Sequence, residues 1–215
     1  MEADFNRKGT SIYSDMIGKK VAEPFVTVVD KATIPNERGA LNYDDEGNAA
    51  GKTTLVENGI LKSYLHDQIS ARQYSLNPTG SGRRESYKYA PMPRMSCTFM
   101  EDGPHTKEEI IASVDRGIIC ETYTNGQVQI GAGDYTFYVK NGWLVEGGKV
   151  TAPIKDVNII GNGPESLRQI TMVANDARLD TGGWTCGKNG QSVPVSQGIP
   201  TVLVSNMTVG GENVS

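Results

Sequence analysis

The sequence has little of what small secreted or membrane-bound proteins need. Its 215 residues include three cysteines, Cys97, Cys120 and Cys186, and no Cys-x-x-Cys pair. An odd number of widely spaced cysteines argues against a disulfide framework and favours a reducing compartment. No apolar run approaches the roughly 18 residues that span a bilayer, and the polar N-terminal residues lack the apolar region of a signal peptide. These absences predict a soluble, cytoplasmic protein without a membrane segment.

The sequence also has few histidines and no excess of positive charge. The histidines are His66 and His105, and neither has a His or Cys partner at the spacing of zinc ligands. His66 beside Asp67 is interpreted as a surface pair, although a catalytic pairing with a distant cysteine stays open. The formal net charge is −4, whereas proteins that bind nucleic acid through charge are normally basic. We therefore expect no direct nucleic-acid binding.

Signals for β-structure and turns dominate what is present. Pro24–Asp30 is rich in β-branched residues and predicts a strand. Asn58-Gly59 and Asn141-Gly142 each lie between β-like runs, which predicts two hairpins with type I′ turns. Residues 78 to 96 predict a long loop. The pattern indicates an α+β fold made mainly of antiparallel β-sheet.

Helix signals are fewer and predict only short helices. Thr106 and Glu109 form a capping box, and Gly163-Pro164 is typical of a helix start. The second of these helices is predicted to present an apolar stripe of Leu167, Ile170, Val173 and Ala174. Residues 65 to 73 are compatible with another short helix. Residues 1–215 are interpreted as a single domain, since the length suits one domain.

Cys186 lies in a glycine-rich segment. Gly183 and Gly187 flank it closely, so the backbone can approach another body or adopt positive φ. The ammonium group of Lys188 could stabilise a thiolate. The residues alone leave three roles open for Cys186: a metal-bound thiolate, a nucleophile or a buried apolar side chain.

Two loops contain most of the remaining candidate functional side chains. Asp44-Asp45-Glu46-Gly47 groups three carboxylates but lacks the alternating spacing of a calcium loop, which favours a solvated acidic turn. Arg83, Arg84 and Arg94 lie in or beside a glycine-rich loop, where arginine can recognise phosphate or carboxylate groups. The loop lacks the Gly-Lys-Ser/Thr ending of a phosphate loop.

Short motifs follow one another along nearly the whole chain. They are Asp4-Phe5-Asn6-Arg7-Lys8-Gly9-Thr10-Ser11, Asp44-Asp45-Glu46-Gly47, Glu57-Asn58-Gly59-Ile60-Leu61, Gly82-Arg83-Arg84-Glu85-Ser86-Tyr87, Pro91-Met92-Pro93-Arg94-Met95, Gly126-Gln127-Val128, Cys186-Gly187-Lys188-x-Gly190-Gln191, Val193-Pro194-Val195 and Thr208-Val209-Gly210-Gly211. Their number, order and spacing strongly resemble the C-terminal half of the TldD/PmbA family, peptidases once called modulators of DNA gyrase.

The resemblance implies a zinc metallopeptidase of the TldD type, which cleaves unfolded or extended peptides. In that family the zinc is held by two histidines of a His-Glu-x-x-x-His helix and by the cysteine of the Cys-Gly-Lys motif, matched here by Cys186. The glutamate of the helix acts as general base. Cys186 is therefore a candidate zinc ligand. Arg83, Arg84 and Arg94 match family motifs and are candidates for peptide substrate binding.

The family's His-Glu-x-x-x-His helix precedes the segment that matches Glu2–Phe5, where this chain begins with Met1. We therefore expect the isolated chain to lack peptidase activity and tight zinc binding, because two zinc ligands and the base are missing from it. An alternative function is a non-catalytic scaffold or peptide-binding subunit of a peptidase assembly. A third is a cysteine enzyme that uses Cys186. The resemblance also implies a dimer, either as a homo-oligomer or with a PmbA-type partner subunit.

Overall fold

The structure is a computed structural model that describes residues 1–129 and 132–211. Its helices are α1 (Ala3–Asn6), α2 (Gln68–Tyr74), α3 (Lys107–Ala112) and α4 (Gly163–Arg168). Its strands are β1 (Val28–Lys31), β2 (Lys52–Glu57), β3 (Ile60–Leu61), β4 (Gly82–Arg83), β5 (Met92–Pro93), β6 (Cys97–Met100), β7 (Arg116–Val128), β8 (Asp134–Glu146), β9 (Lys149–Ile154), β10 (Val157–Asn162), β11 (Ile170–Val173), β12 (Arg178–Leu179), β13 (Thr185–Lys188), β14 (Gln191–Pro194), β15 (Ser196–Ile199), β16 (Val202–Val204) and β17 (Thr208–Gly210).

Antiparallel pairing dominates these strands, with β6 and β15 as a parallel pair. The prediction of an α+β fold of mainly antiparallel sheet with a few short helices is confirmed. None of the described helices has both the length and the apolar character that crossing a membrane requires.

The chain divides into two compact units. The first unit comprises residues 1–102 and 177–200. Its main sheet has the strand order β12-β15-β6-β1-β2-β3, and β4–β5 and β13–β14 form separate hairpins. Fully buried aliphatic side chains fill its core, among them Val26, Val29, Val56 and Leu61.

The second unit comprises residues 103–176 and 201–211 of the described chain. Its sheet has the order β17-β10-β8-β7, with β9 paired to the far end of β8, and β11 pairs with β16. Val139, Val145, Ile159 and Val173 are buried in this unit. The interpretation of residues 1–215 as one domain stays a prediction.

Several local predictions are confirmed because short-range chemistry decides them. Asn58 and Gly59 adopt φ values of 49° and 77° and join β2 to β3. Thr106 accepts a hydrogen bond from the Glu109 amide, and the Glu109 carboxylate accepts one from the Thr106 amide, so the capping box begins α3. The short helix expected over residues 65 to 73 is α2.

Other local predictions are wrong. Asn141-Gly142 does not form a turn but lies inside the continuous strand β8. A Cβ atom at Gly142 would lie 2.2 Å from the carbonyl oxygen of Ile119, so this glycine permits close approach of β7. Pro24–Asp30 becomes a strand only from Val28 onward. The stripe predicted for one helix is divided, since α4 ends at Arg168 and β11 follows at once. The long loop over residues 78 to 96 contains β4 and β5.

Candidate functional site around Cys186

Two hairpins of the first unit meet at Cys186. In the hairpin β13–β14, Cys186 pairs with Val193, and Asn189 and Gly190 make the turn with φ values of 50° and 71°. Positive φ at both positions is the type I′ geometry that favours a tight, twisted hairpin. The thiol of Cys186 is half-buried. The ladder with β14 therefore holds the backbone of Cys186.

The hairpin β4–β5 faces this strand through buried arginines. Arg83 is 7% exposed, and its guanidinium donates to the carbonyl oxygens of Met95 at 2.6 Å and Pro194 at 2.9 Å. Arg94 is fully buried, and its Nη2 donates to the carbonyl oxygen of Cys186. Arg83 thus connects β4 to β14, and Arg94, which directly follows β5, connects to β13.

Lys188 ties a third segment to the same hairpin. Its Nζ lies 2.6 Å from Glu2 Oε2, 2.7 Å from Asp4 Oδ1 and 2.9 Å from the Pro93 carbonyl oxygen. The ammonium group also lies 4.9 Å from the centre of the Phe5 ring, within cation–π range. We call Arg83, Arg94 and Lys188 the buried cation cluster. Through Lys188, residues near the start of the chain contact the hairpin that carries Cys186.

The charges within the buried cation cluster are unevenly compensated. Burial lowers the pKa of the Arg83 guanidinium, and the positive charge of Arg94 lowers it further, whereas Asp30, Asp45 and Cys186 act in the opposite direction. Lys188 has two carboxylate partners. Arg94 has none within ion-pair distance among the described residues, and its Nε and Nη1 have no hydrogen-bond partner there. Arg94 is therefore the least satisfied cation of the cluster.

The loop between β4 and β5 is exposed and contacts the start of β14 in the Cys186 hairpin. Glu85 accepts a hydrogen bond from the Ser192 amide at 2.5 Å, and its own amide donates to Gln191 Oε1 at 3.2 Å. Arg84 keeps about a third of its side chain exposed, with its Nε 3.9 Å from Asp45. Tyr87 is 81% exposed. The substrate-binding role predicted for Arg83, Arg84 and Arg94 stays a prediction, and of the three Arg84 is the one that solvent reaches most.

The acidic loop that precedes this region is not the solvated turn that its sequence favours. Asp44 is buried and accepts hydrogen bonds from the amides of Glu46, Asn48 and Gly82 at 2.8 to 3.0 Å. Asp45 is exposed and accepts from the Arg84 amide at 2.9 Å. The interpretation is wrong for Asp44 because its carboxylate serves backbone donors, and the loop thereby supports β4.

The two histidines belong to different units, His66 to the first and His105 to the second. His66 is fully buried, 5.4 Å from the Tyr74 ring and 6.1 Å from the Tyr64 ring, so its interpretation as a surface residue is wrong. Burial lowers the pKa of the His66 imidazole. Its Nδ1 lies 3.3 Å from Ser70 Oγ. His105 belongs to the second unit, where its Nδ1 lies 3.1 Å from the Val173 carbonyl oxygen.

A catalytic zinc takes three protein ligands and keeps one position open. Among residues 1–129 and 132–211, no three His, Cys, Asp or Glu side chains are grouped so as to hold a metal ion. A thiolate at Cys186 suits zinc as a single ligand. The described residues by themselves nevertheless do not make a zinc centre.

Sequence reasoning did not identify the acidic partners of Lys188. Glu2 and Asp4 lie 186 and 184 positions away from it, so no spacing rule connects them. The available signal was the match of Asp4-Phe5 and Cys186-Gly187-Lys188 to motifs of one family. The structure brings these two motifs into contact.

Comparison with known proteins identifies the same family. A family model described as the PmbA/TldA metallopeptidase C-terminal domain matches residues 1–211. A metalloprotease TldD homolog from Buchnera aphidicola is 47% identical over 211 residues, which are 98% of this chain and 44% of that protein. A zinc metalloprotease TldD homolog from Saccharolobus solfataricus is 30% identical over 98% of this chain and 46% of its own length. The chain thus spans less than half the length of these curated relatives.

Solved structures show the same fold. A Thermotoga maritima protein described as a candidate modulator of a DNA gyrase matches 97% of this chain and 44% of its own, with a TM-score of 0.78 and 26% identity. TldE from Thermococcus kodakarensis matches 98% of this chain and 45% of its own, with a TM-score of 0.79 and 23% identity, which concerns the fold alone. The motifs around Cys186, the fold and the family match over residues 1–211 agree. This chain belongs to the PmbA/TldA metallopeptidase C-terminal domain family.

Proposed function

We propose that this chain is the cysteine-bearing part of a zinc metallopeptidase that cleaves unfolded or extended peptides. Membership of a metallopeptidase family supports this function, as does the name of the Saccharolobus relative, a zinc metalloprotease. One observation carries the proposal furthest. Two buried arginines bind backbone carbonyl groups of the Cys186 hairpin, and the buried Lys188 of that hairpin binds Glu2. In this proposal Cys186 is one ligand of the zinc ion.

The other two zinc ligands and the general base come from polypeptide outside this chain. The resemblance assigns them to a His-Glu-x-x-x-His helix, and the described residues hold no three-ligand group of their own. The chain also corresponds to only 44% of the length of the Buchnera relative and 46% of that of the Saccharolobus relative. On this proposal the isolated chain has no peptidase activity and binds zinc weakly, because one thiolate gives an incomplete ligand shell.

Peptide contact is assigned to the exposed loop between β4 and β5. Arg84 offers a partly exposed guanidinium, and Tyr87 offers an exposed ring. Arg83 and Arg94 contribute by fixing the strands beside this loop. The protein works in the cytoplasm, as a homo-oligomer or with a partner subunit of the TldE type. A TldE structure shares the fold, which is compatible with paired subunits of similar architecture.

The second candidate is a non-catalytic scaffold or peptide-binding subunit. The lack of a three-ligand metal group among the described residues favours it. The two functions differ in what they require of Cys186. A peptidase needs its sulfur, whereas a scaffold tolerates its replacement.

The test supplies the missing ligands in trans. The chain is mixed with the amino-terminal remainder of the Buchnera relative, and assembly is checked by gel filtration. We expect no cleavage of an unfolded peptide by the chain alone and chelator-sensitive cleavage by the assembled mixture. Cys186→Ser should abolish that cleavage. Cys120→Ser is the matched control, because Cys120 is also half-buried but lies on β7 of the second unit.

Two results would contradict the proposal. Chelator-sensitive cleavage by the isolated chain would show that it needs no outside ligands. Undiminished cleavage by an assembled Cys186→Ser mixture would remove Cys186 from the zinc site. An assembled mixture without any cleavage would instead support the scaffold function.

A further inference from the structure

Arg94 is an unusual residue for the interior of a protein. It is the largest of the fully buried side chains, and its charge has no carboxylate partner within ion-pair distance among the described residues. A buried charge is normally paired or fully hydrogen-bonded, because desolvation of an ion is costly. One contact of its guanidinium is defined, the hydrogen bond from Nη2 to the Cys186 carbonyl oxygen.

Two other kinds of contact hold the segment around Cys186. All of β13 pairs with β14, and Arg38 donates hydrogen bonds to the Trp184 carbonyl oxygen and to Thr185 Oγ1. Gly183 and Gly187 have no side chains, and an added Cβ at either would meet nothing within 4 Å. The opposite strand supplies backbone pairing through Val193. The two glycines therefore add no side-chain packing, and anchors from outside the hairpin supplement the strand pairing.

The anchors divide the strand between them. Lys188 holds β13 at its end, through contacts with Glu2, Asp4 and the Pro93 carbonyl oxygen. Arg94 holds the cysteine residue itself, through its own carbonyl group. A hydrogen bond at that carbonyl restricts the peptide plane that follows the Cα atom bearing the thiol. The direction of the Cα–Cβ bond is thereby fixed.

We propose that Arg94 is a positioning residue, which holds the backbone of Cys186 so that the Cα–Cβ bond that carries the sulfur keeps a single direction. This inference rests on the proposed function in that the direction matters for binding a metal ion. Groups behind a metal ligand commonly orient it and affect metal affinity as strongly as some ligands do. The unpaired buried charge is retained because the guanidinium reaches this carbonyl from across the two hairpins.

The test measures the side-chain conformation of Cys186 directly, without metal. Cysteine-selective isotope labelling isolates the signals of Cys97, Cys120 and Cys186, and the couplings between Hα and the two Hβ atoms report the χ1 rotamer. The allowed χ1 rotamers depend on the backbone conformation, so a backbone released by loss of Arg94 averages them. In the unaltered chain we expect one large and one small coupling at Cys186. In Arg94→Met the two couplings should converge to an average, while those of the buried Cys97 stay unchanged.

Arg83→Met is the matched control, because Arg83 is also a buried arginine but holds the Pro194 carbonyl on the neighbouring strand. It should leave the Cys186 couplings distinct. Arg94→Lys serves if Arg94→Met fails to fold, and the shorter side chain should lose the ordering as well. Cross-strand contacts between Cys186 and Val193 verify that the hairpin remains formed.

The results separate this inference from the proposed function. Distinct couplings at Cys186 in the folded Arg94 variants would overturn the inference, as would equal averaging in Arg83→Met, which would show general loosening. Undiminished peptide cleavage by the assembled mixture that contains Cys186→Ser would overturn the proposed function but not this inference. The couplings of the metal-free chain decide the role of Arg94 in either case.

Discussion

At the scale of the residue, buried charged side chains of the first unit bind backbone carbonyl groups and restrict the backbone there. Lys188 has a side chain that is 2% exposed and lies against two carboxylates. Charge-assisted hydrogen bonds of this kind are about twice as strong as neutral ones. Removal of one partner from a buried pair leaves an uncompensated charge, which costs about 3–5 kcal/mol. This cost favours a single arrangement of the buried cation cluster and of the hairpin that carries Cys186.

The acidic loop offers a direct test of how such buried groups differ from exposed ones. Asp44→Ala should lower the free energy of unfolding of the first unit by about 3 kcal/mol, because it leaves three amide donors without their charged acceptor. Asp45→Ala, one position along, should lower it by less than about 1 kcal/mol, since Asp45 is exposed. Urea unfolding followed by the fluorescence of Trp184 measures the effect, with Trp143 replaced by Phe so that the signal comes from this unit.

Equal effects of the two substitutions would contradict this assignment. So would stabilisation of the chain by calcium that depends on Asp44, because the carboxylate would then serve a cation rather than the loop amides.

The sequence was sufficient to select Cys186 but not to describe its surroundings. The Cys-Gly-Lys motif identified the residue through a family resemblance. The burial of Arg83 and Arg94 could not be predicted, because arginine is mostly exposed and local sequence contains no measure of depth. The contacts of Lys188 with Glu2 and Asp4 depend on the folded path of the whole first unit.

At the scale of the element, two Asn-Gly pairs show where local prediction succeeds and fails. Asn58-Gly59 makes its turn because the pairing strands are adjacent in sequence. Asn141-Gly142 has the same turn chemistry but lies in β8, which pairs with β7 on one side and with β10 and β9 on the other. Pairing along three neighbouring strands outweighs the local preference. The actual turn next in the chain uses Gly147 and Gly148, both at positive φ.

Gly142 should therefore be sensitive to substitution as a strand residue. Gly142→Ala should lower the free energy of unfolding of the second unit by about 1–3 kcal/mol, because the new methyl group would overlap the Ile119 carbonyl oxygen. Gly210→Ala is the control, since Gly210 lies in β17 of the same unit and an added Cβ meets nothing within 4 Å. It should change stability by no more than about 0.5 kcal/mol. Urea unfolding followed by Trp143 fluorescence, with Trp184 replaced by Phe, compares them.

If Gly142→Ala and Gly210→Ala unfold at the same urea concentration, the close approach of β7 to β8 at this point is wrong. A destabilised Gly142→Ala variant with an intact sheet would instead show that glycine is needed there for the close approach of β7, and not for a turn.

At the scale of the whole molecule, the second unit presents a sheet edge. Among the described strands, β7 pairs with β8 alone, so its other side has backbone donors and acceptors open to pairing. Val128 and Tyr123 are 54% and 43% exposed on this strand. Edge strands commonly avoid association through lysine, proline or bulges. β7 has no lysine or proline, although its register shifts between Cys120 and Asn125.

This edge supports the prediction that the chain self-associates, with a two-fold dimer as the commonest closed form. Light scattering over a range of micromolar concentrations should give a mass above the 23.2 kDa of one chain and rising with concentration. The double substitution Thr124→Lys and Val128→Lys should shift the chain toward monomer, because pairing would bring like charges together along β7. Thr136→Lys adds charge to the exposed face of β8, which is paired on both sides, and should leave association unchanged.

A mass of one chain at every concentration would show that the edge is not an interface. Association that survives the double substitution would place the interface elsewhere on the chain.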